Sequence, residues 1–89
     1  MNKDYIQGAT SSGFKYKIEN KRLNNYILLE TISKLEEDPL AITKVLELLL
    51  GSKQKEKLID HLKDDEGIVD MDKMEREIED IFKAEEIKN

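Results

Sequence analysis

The sequence contains one histidine, His61, and no cysteine, so few side chains are available for nucleophilic or transition-metal chemistry. We place His61 near the end of a predicted helix, where the helix dipole stabilises its charged form. No nucleophile or carboxylate stands at a spacing that would make His61 a general base. We therefore interpret His61 as a partly exposed surface residue and predict no catalytic residues.

Acidic residues are concentrated in the segment DDEGIVDMDK, residues 64–73. An EF-hand loop with Gly67 at its glycine position would have Leu62 as its first ligand and Lys73 as its last, and neither carries a carboxylate. The segment is instead typical of a solvated turn between helices. Glycine-rich phosphate loops and paired His or Cys ligands are also missing from the sequence. We expect no metal site, no cofactor and no enzymatic activity.

The charge balance and the hydropathy pattern exclude two classes of partner. The 89 residues carry a formal net charge of -5, and their basic residues are interleaved with acids, which argues against nucleic-acid binding. The longest apolar runs are triplets, far short of the roughly 20 residues that span a bilayer, and no signal-peptide pattern occurs. The sequence predicts a soluble cytoplasmic protein that binds neither nucleic acid nor membrane.

The first part of the chain predicts a flexible arm followed by a strand. Residues 1–13 contain two glycines and a Thr-Ser-Ser run, which suits a flexible or turn-rich arm. The segment FKYKIE, residues 14–19, alternates apolar and charged residues as a half-buried strand does. Its apolar face consists of Phe14, Tyr16 and Ile18. This strand leans on helices, pairs with residues near Tyr5 and Ile6, or pairs with another molecule.

Residues 23–87 have the apolar period of helices and predict about four of them. The first ends at the segment EEDP, and Asp38 with Pro39 begins the second. The second helix ends at Gly51, a third follows over residues 53–63, and Asp70 caps the fourth. The fold class predicted for residues 1–89 is a single, mainly α domain, a small bundle of about four helices preceded by a short N-terminal β-strand or hairpin.

Two of these helices have apolar faces that a partner could use. The second helix, within DPLAITKVLELLLGS (residues 38–52), has an apolar arc of about 200°, against the ~100° that a surface helix needs. We expect it to lie mostly in the core, with one flank at Leu48 or Leu50 available for binding. The fourth helix has apolar residues at heptad-like spacing, at Met71, Met74, Ile78 and Ile81.

The order and spacing of four segments resembles a known family. These segments are SSGFKYKIE (11–19), NNYILLETISKLEEDPLAITKVLELLLG (24–51), QKEKLIDHLKDDEGIV (54–69) and MEREIEDIF (74–82). Together they resemble small tail assembly chaperones of long-tailed bacteriophages and prophages of Gram-positive bacteria, over roughly residues 8 to 83. The resemblance implies a non-catalytic protein of the host bacterial cytoplasm, absent from the mature virion. It also implies binding to the tape-measure protein and help in recruiting tail-tube protein.

Two functional hypotheses follow from the sequence. The first is a tail assembly chaperone that binds through apolar helix faces and through strand addition at residues 14–18, with weak self-association of the small subunit. The residues predicted to contact the partner are Phe14, Tyr16, Ile18, Leu48, Leu50, Met71, Met74 and Ile78. The alternative is an acidic regulatory adaptor or nucleic-acid mimic that binds a basic host protein through its Glu and Asp faces. Charge-driven binding weakens steeply as salt rises, whereas apolar docking is nearly indifferent to salt.

Overall fold

The chain begins with a β-hairpin and continues with helices, in a computed structural model that describes residues 4–87. The predicted fold class, mainly α with an N-terminal hairpin followed by four helices, is confirmed. The elements are β1 (Tyr5–Ala9), β2 (Lys15–Glu19), α1 (Asn20–Leu23), α2 (Tyr26–Ser33), a 3-10 turn (Pro39–Ala41), α3 (Ile42–Leu62) and α4 (Met71–Ala84).

The hairpin resolves the question of what the predicted strand pairs with. β1 and β2 are antiparallel, with Ile6 opposite Ile18 and Gly8 opposite Tyr16. A flexible arm over residues 1–13 is therefore the wrong description of β1, while residues 1–3 lie outside the described residues. Gly8 suits its position because a Cβ atom there would lie 2.6 Å from Cζ of Tyr16. The aromatic ring fills the space that a side chain on β1 would otherwise occupy.

The turn between the two strands is fixed by acids of α4. Thr10 Oγ1 donates to Glu77 Oε1 at 2.7 Å, and both residues are buried. Ser11 donates to Asp80 Oδ2 from its backbone N at 2.9 Å and from its Oγ at 2.5 Å. These hydrogen bonds hold the pKa of Asp80 below its usual range, the side-chain bond being the larger cause. The Thr-Ser-Ser-Gly segment is thus the turn between β1 and β2, and it attaches the hairpin to α4 through hydrogen bonds.

A further hydrogen bond ties the C-terminal end of α4 to the middle of the hairpin. The Tyr16 hydroxyl donates to Glu85 Oε2 at 2.6 Å. Burial of the ring, and then this hydrogen bond to a carboxylate, raise the pKa of Tyr16 well above its usual value. Tyr16 therefore stays a neutral donor, and α4 is attached to the hairpin along its length.

The predicted helix stop at Gly51 is confirmed as a break within α3. Gly51 has φ 81° and ψ 162°, a conformation that residues with a side chain rarely adopt. Arg22 of α1 satisfies the carbonyl groups exposed at this break, because its Nη1 donates to Glu47 O at 3.3 Å and to Leu48 O at 3.1 Å. The first part of α3, residues 42–50, therefore ends against α1, and the second part can turn toward the hairpin.

Every major element contributes to one hydrophobic core. The hairpin supplies the apolar face of β2, α2 supplies two residues, and both parts of α3 and the length of α4 supply the rest. The buried apolar residues are Phe14, Tyr16, Ile18, Leu28, Ile32, Val45, Leu46, Leu49, Leu50, Leu58, Met74, Ile78, Ile81 and Phe82.

The capping predictions for the helices are also confirmed. The Asp38 side chain accepts from Leu40 N at 3.1 Å, and the Asp70 side chain accepts from Lys73 N at 3.2 Å. The predicted turn between α3 and α4 is built around Asp64, whose Oδ1 accepts from Glu66 N at 2.8 Å and from Ile68 N at 3.0 Å. The Ile68 bond, followed by the Glu66 bond, lowers the pKa of Asp64.

Candidate functional site

Chemistry at His61 is limited by its surroundings. The ring is exposed, and its Nε2 lies 3.1 Å from Ser12 Oγ and 3.2 Å from Ser12 O. The ring centroid lies 5.7 Å from that of Phe14. Among residues 4–87 there is no group of three His, Cys, Asp or Glu residues that could hold a metal ion. His61 thus links the hairpin turn to α3.

The described part of the chain has no helix of the length and apolarity needed to cross a membrane.

Most of the residues predicted to contact a partner are buried in this fold. The exposed fraction is at most 8% for six of them, namely Phe14, Tyr16, Ile18, Leu50, Met74 and Ile78. They do not form a binding surface on the folded chain, because the apolar face of the strand and the apolar stripes of the helices cover one another. Leu48 is half-buried, and only Met71 is clearly exposed.

Strand addition on β2 is obstructed at Lys17. The Gln54 side chain lies against the outer edge of β2 and forms both hydrogen bonds that a neighbouring strand would form with Lys17. Its Nε2 donates to Lys17 O at 2.6 Å, and its Oε1 accepts from Lys17 N at 2.8 Å. A strand added at residues 14–18 would have to displace this amide.

The exposed apolar side chains lie elsewhere, and two of them line a groove between α2 and α4. Tyr26 and Leu29 of α2 are 67% and 50% exposed. They belong to a depression of about 520 Å³ that also contains residues 85–87, which directly follow α4. Its lining residues are Leu23, Asn24, Asn25, Tyr26, Leu28, Leu29, Ile32, Glu85, Glu86 and Ile87.

A second depression lies beside α4 and the segment that follows α2. It has a volume of about 380 Å³ and is lined by Leu35, Glu36, Pro39, Ile42, Glu75, Ile78, Glu79 and Phe82. The two depressions share no lining residue, but Ile32 of the first and Leu35 of the second are three residues apart, as are Glu85 and Phe82. The two depressions are therefore neighbours, and we call them together the α2/α4 groove.

The α2/α4 groove has an apolar floor and an acidic rim. Its lining includes five glutamates and no lysine or arginine, although the chain has 15 basic residues. The glutamates are Glu36, Glu75, Glu79, Glu85 and Glu86. From Glu75 to Glu85, the residue that caps α4, the groove is roughly 15 Å long at 1.5 Å per residue, which accommodates about three turns of a helix. Such a site fits an amphipathic helix whose apolar face is flanked by Lys or Arg.

The sequence held a signal for this groove. Leu28 and Leu29 are consecutive apolar residues in the first helical segment, and consecutive residues are separated by about 100° around a helix. The structure buries Leu28 and leaves Leu29 half exposed. A stripe wider than the core can cover is the pattern that indicates an outward-facing apolar surface.

Comparison of the chain with protein-family models, curated proteins and solved structures finds no match. The function is therefore argued from the groove and from the sequence pattern.

Proposed function

We propose that this protein is a phage tail assembly chaperone that binds the tape-measure protein in the host bacterial cytoplasm and aids assembly of the tail tube. The observation that carries the proposal is the α2/α4 groove, with its apolar floor and acidic rim. The resemblance of residues 8–83 to small tail assembly chaperones supports it. The chain acts by binding, without catalysis.

A long helical partner exposes apolar stripes until it is packed into its final assembly, and such stripes aggregate. A groove of about three helical turns covers one short section of a stripe. Several copies bound in series would cover a longer section, and the net charge of -5 on each copy would keep the complex soluble. The groove thus provides what a chaperone of an elongated protein needs.

The acidic rim also favours a second candidate, an acidic regulatory adaptor that binds a basic host protein. The same five glutamates would then provide most of the binding free energy, and the apolar floor little of it. The two functions differ in their salt dependence, because exposed charge pairs are screened at high ionic strength and apolar contacts are not.

The test is co-expression of the full chain with the tape-measure protein encoded beside it, followed by affinity capture. Capture is compared at about 0.05 M and about 1 M salt, where the Debye length falls from roughly 14 to 3 Å. The proposed function predicts that the tape-measure protein stays soluble and is captured at both salt concentrations.

Two results would contradict the chaperone proposal. In one, the tape-measure protein precipitates while this chain remains alone in the soluble fraction. In the other, capture occurs only at low salt and recovers basic host proteins equally well, which would favour the acidic adaptor. Expression of the tape-measure protein without this chain is the control, since its own solubility sets the reference.

A further inference from the structure

The two outer edges of the hairpin differ in whether their backbone groups are paired. The hydrogen bonds Asn20 N to Asp4 O and Thr10 N to Phe14 O bracket the ladder, so the pairs Ile6–Ile18 and Gly8–Tyr16 exchange the hydrogen bonds between β1 and β2. The N–H and C=O groups of Tyr5, Gln7 and Ala9 therefore point away from β2.

This outer edge of β1 is open, in contrast to the edge of β2 that Gln54 covers. Within residues 4–87, the outward backbone groups of Tyr5, Gln7 and Ala9 form no hydrogen bond. Gln7 and Ala9 are exposed to solvent. An edge of this kind is a template for another strand.

The sequence of β1 has none of the usual features that keep an edge strand from pairing. The strand YIQGA contains no charged residue and no proline, in a chain of which 39% is charged. The Lys17 ammonium lies 3.9 Å from the centre of the Tyr5 ring, on the face of the sheet and not at its edge. Asp4 directly precedes the strand, and with Gln7 opposite Gln7 it would lie opposite the uncharged Thr10 of a second copy. No two charged side chains would therefore stand directly opposite each other if two β1 strands paired in this register.

We propose that β1 pairs with β1 of a second copy of this chain, antiparallel, about a two-fold axis at Gln7. The three outward-facing residues are evenly spaced around Gln7, so this register is self-complementary. Gln7 then lies opposite Gln7 of the second copy, and Tyr5 lies opposite Ala9, so a large side chain meets a small one. The result is a four-stranded sheet in the order β2-β1-β1-β2.

One further feature favours a second copy as the occupant. The pairing uses the open edge of each copy and leaves β2, with Gln54 bound to Lys17, at both ends of the new sheet. The assembly therefore closes as a dimer and does not extend into a fibre. The dimer does not depend on the proposed function, because β1 does not line the α2/α4 groove.

The test is the oligomeric state of the full chain between about 10 µM and 1 mM, by sedimentation equilibrium. Five-residue strands bury far less than the roughly 1,200 Å² of stable interfaces, so we expect a dissociation constant on the order of 100 µM. Hydrogen exchange in the same samples should show concentration-dependent protection of the Tyr5, Gln7 and Ala9 amides. A chain that remains monomeric at about 1 mM would overturn the proposal.

Substitutions at Gln7 distinguish this interface from any other. Gln7→Lys opposes like charges at the axis and should weaken the dimer roughly five- to tenfold, while Gln7→Thr should leave it intact. Gln7→Pro removes the outward N–H without removing a hydrogen bond to β2, and should abolish the dimer. Mixing Gln7→Lys with Gln7→Glu should restore association as a heterodimer. A dimer that tolerates both Gln7→Lys and Gln7→Pro would show that the copies meet elsewhere, and would refute the proposal.

Discussion

Replacing Thr10 by valine tests the attachment of the hairpin turn to α4. The substitution keeps the shape of the side chain and exchanges its hydroxyl for a methyl group. That hydroxyl donates to the buried Glu77 Oε1 at 2.7 Å, accepts from Phe14 N at 3.2 Å and lies 3.1 Å from Ser12 Oγ. Thr10 and Glu77 are 5% and 3% exposed, so water does not readily replace the lost hydroxyl.

The expected cost follows from the two partners that the substitution leaves unpaired. A buried hydrogen bond to a carboxylate contributes about 1.5–3 kcal/mol, and an unpaired buried N–H costs about 1–3 kcal/mol. Burying the extra methyl group offsets part of this, by about 0.8 kcal/mol. We expect Thr10→Val to lower the free energy of unfolding by about 2–5 kcal/mol, a large part of the roughly 4–13 kcal/mol typical of 89 residues.

Urea unfolding followed by circular dichroism measures this change. With a slope of about 1–1.5 kcal/mol/M, the midpoint should fall by at least about 1.3 M. Thr10→Ser is the matched control, because it retains the hydroxyl and should cost less than half as much. A loss below about 0.5 kcal/mol for Thr10→Val, or an equal loss for Thr10→Ser, would refute the reasoning.

Two further predictions concern the hairpin and its contact with α4. Gly8→Ala should lower the free energy of unfolding by about 1–3 kcal/mol, because the new methyl group overlaps the buried Tyr16 ring. In a Tyr16→Val background the same change should cost little. An equal cost in that background would refute the proposed overlap. The pKa of Asp80 is lower in the folded than in the unfolded chain because of its hydrogen bonds with Ser11. These bonds therefore contribute their full stability at pH values above the unfolded pKa of about 3.9. The contribution is lost as the pH falls through the folded pKa. Asp80→Asn should therefore reduce the fall in urea midpoint between about pH 5 and pH 2, and an unchanged fall would contradict the assignment.

The predictable part of this fold came from local signals. Asp38, Gly51 and Asp70 have residue types whose backbone preferences or capping groups act within a few residues, and each marks an observed helix end or break. The alternation in β2 was equally local. These features do not depend on how distant parts of the chain pack together.

The strand β1 could not be predicted from its own residues. Its alternation is interrupted at Gly8, and the reason is the ring of Tyr16 on the other strand. The Thr-Ser-Ser turn has the composition of a free arm, and its hydrogen-bond partners on α4 are 67 to 69 residues away in sequence. Long-range packing therefore determined both features.

Six of the eight predicted contact residues are buried, for a related reason. An apolar stripe at helical spacing looks the same whether it covers the core of its own chain or a partner. Met74 and Ile78 cover the core, while Leu29, which directly follows the buried Leu28, faces the groove. The periodicity of the sequence identifies the apolar stripes, but it does not show which stripes pack against one another.

The central claim, that the α2/α4 groove binds the tape-measure protein, is tested most directly by comparing Leu29→Glu with Ile27→Glu. Leu29 and Ile27 lie on the same helix and are 50% and 48% exposed, but only Leu29 lines the groove. Neither is in the core, so both variants should fold as the parent does. The measurement is the fraction of co-expressed tape-measure protein that stays soluble and is captured with each variant.

We expect Ile27→Glu to retain the partner as the parent chain does. Leu29→Glu removes about 1.5 kcal/mol or more of apolar burial and adds a charge to the groove, so it should weaken binding at least about tenfold and leave the partner insoluble. Equal retention by both variants, or equal loss with both still folded, would contradict the claim that the groove is the binding site.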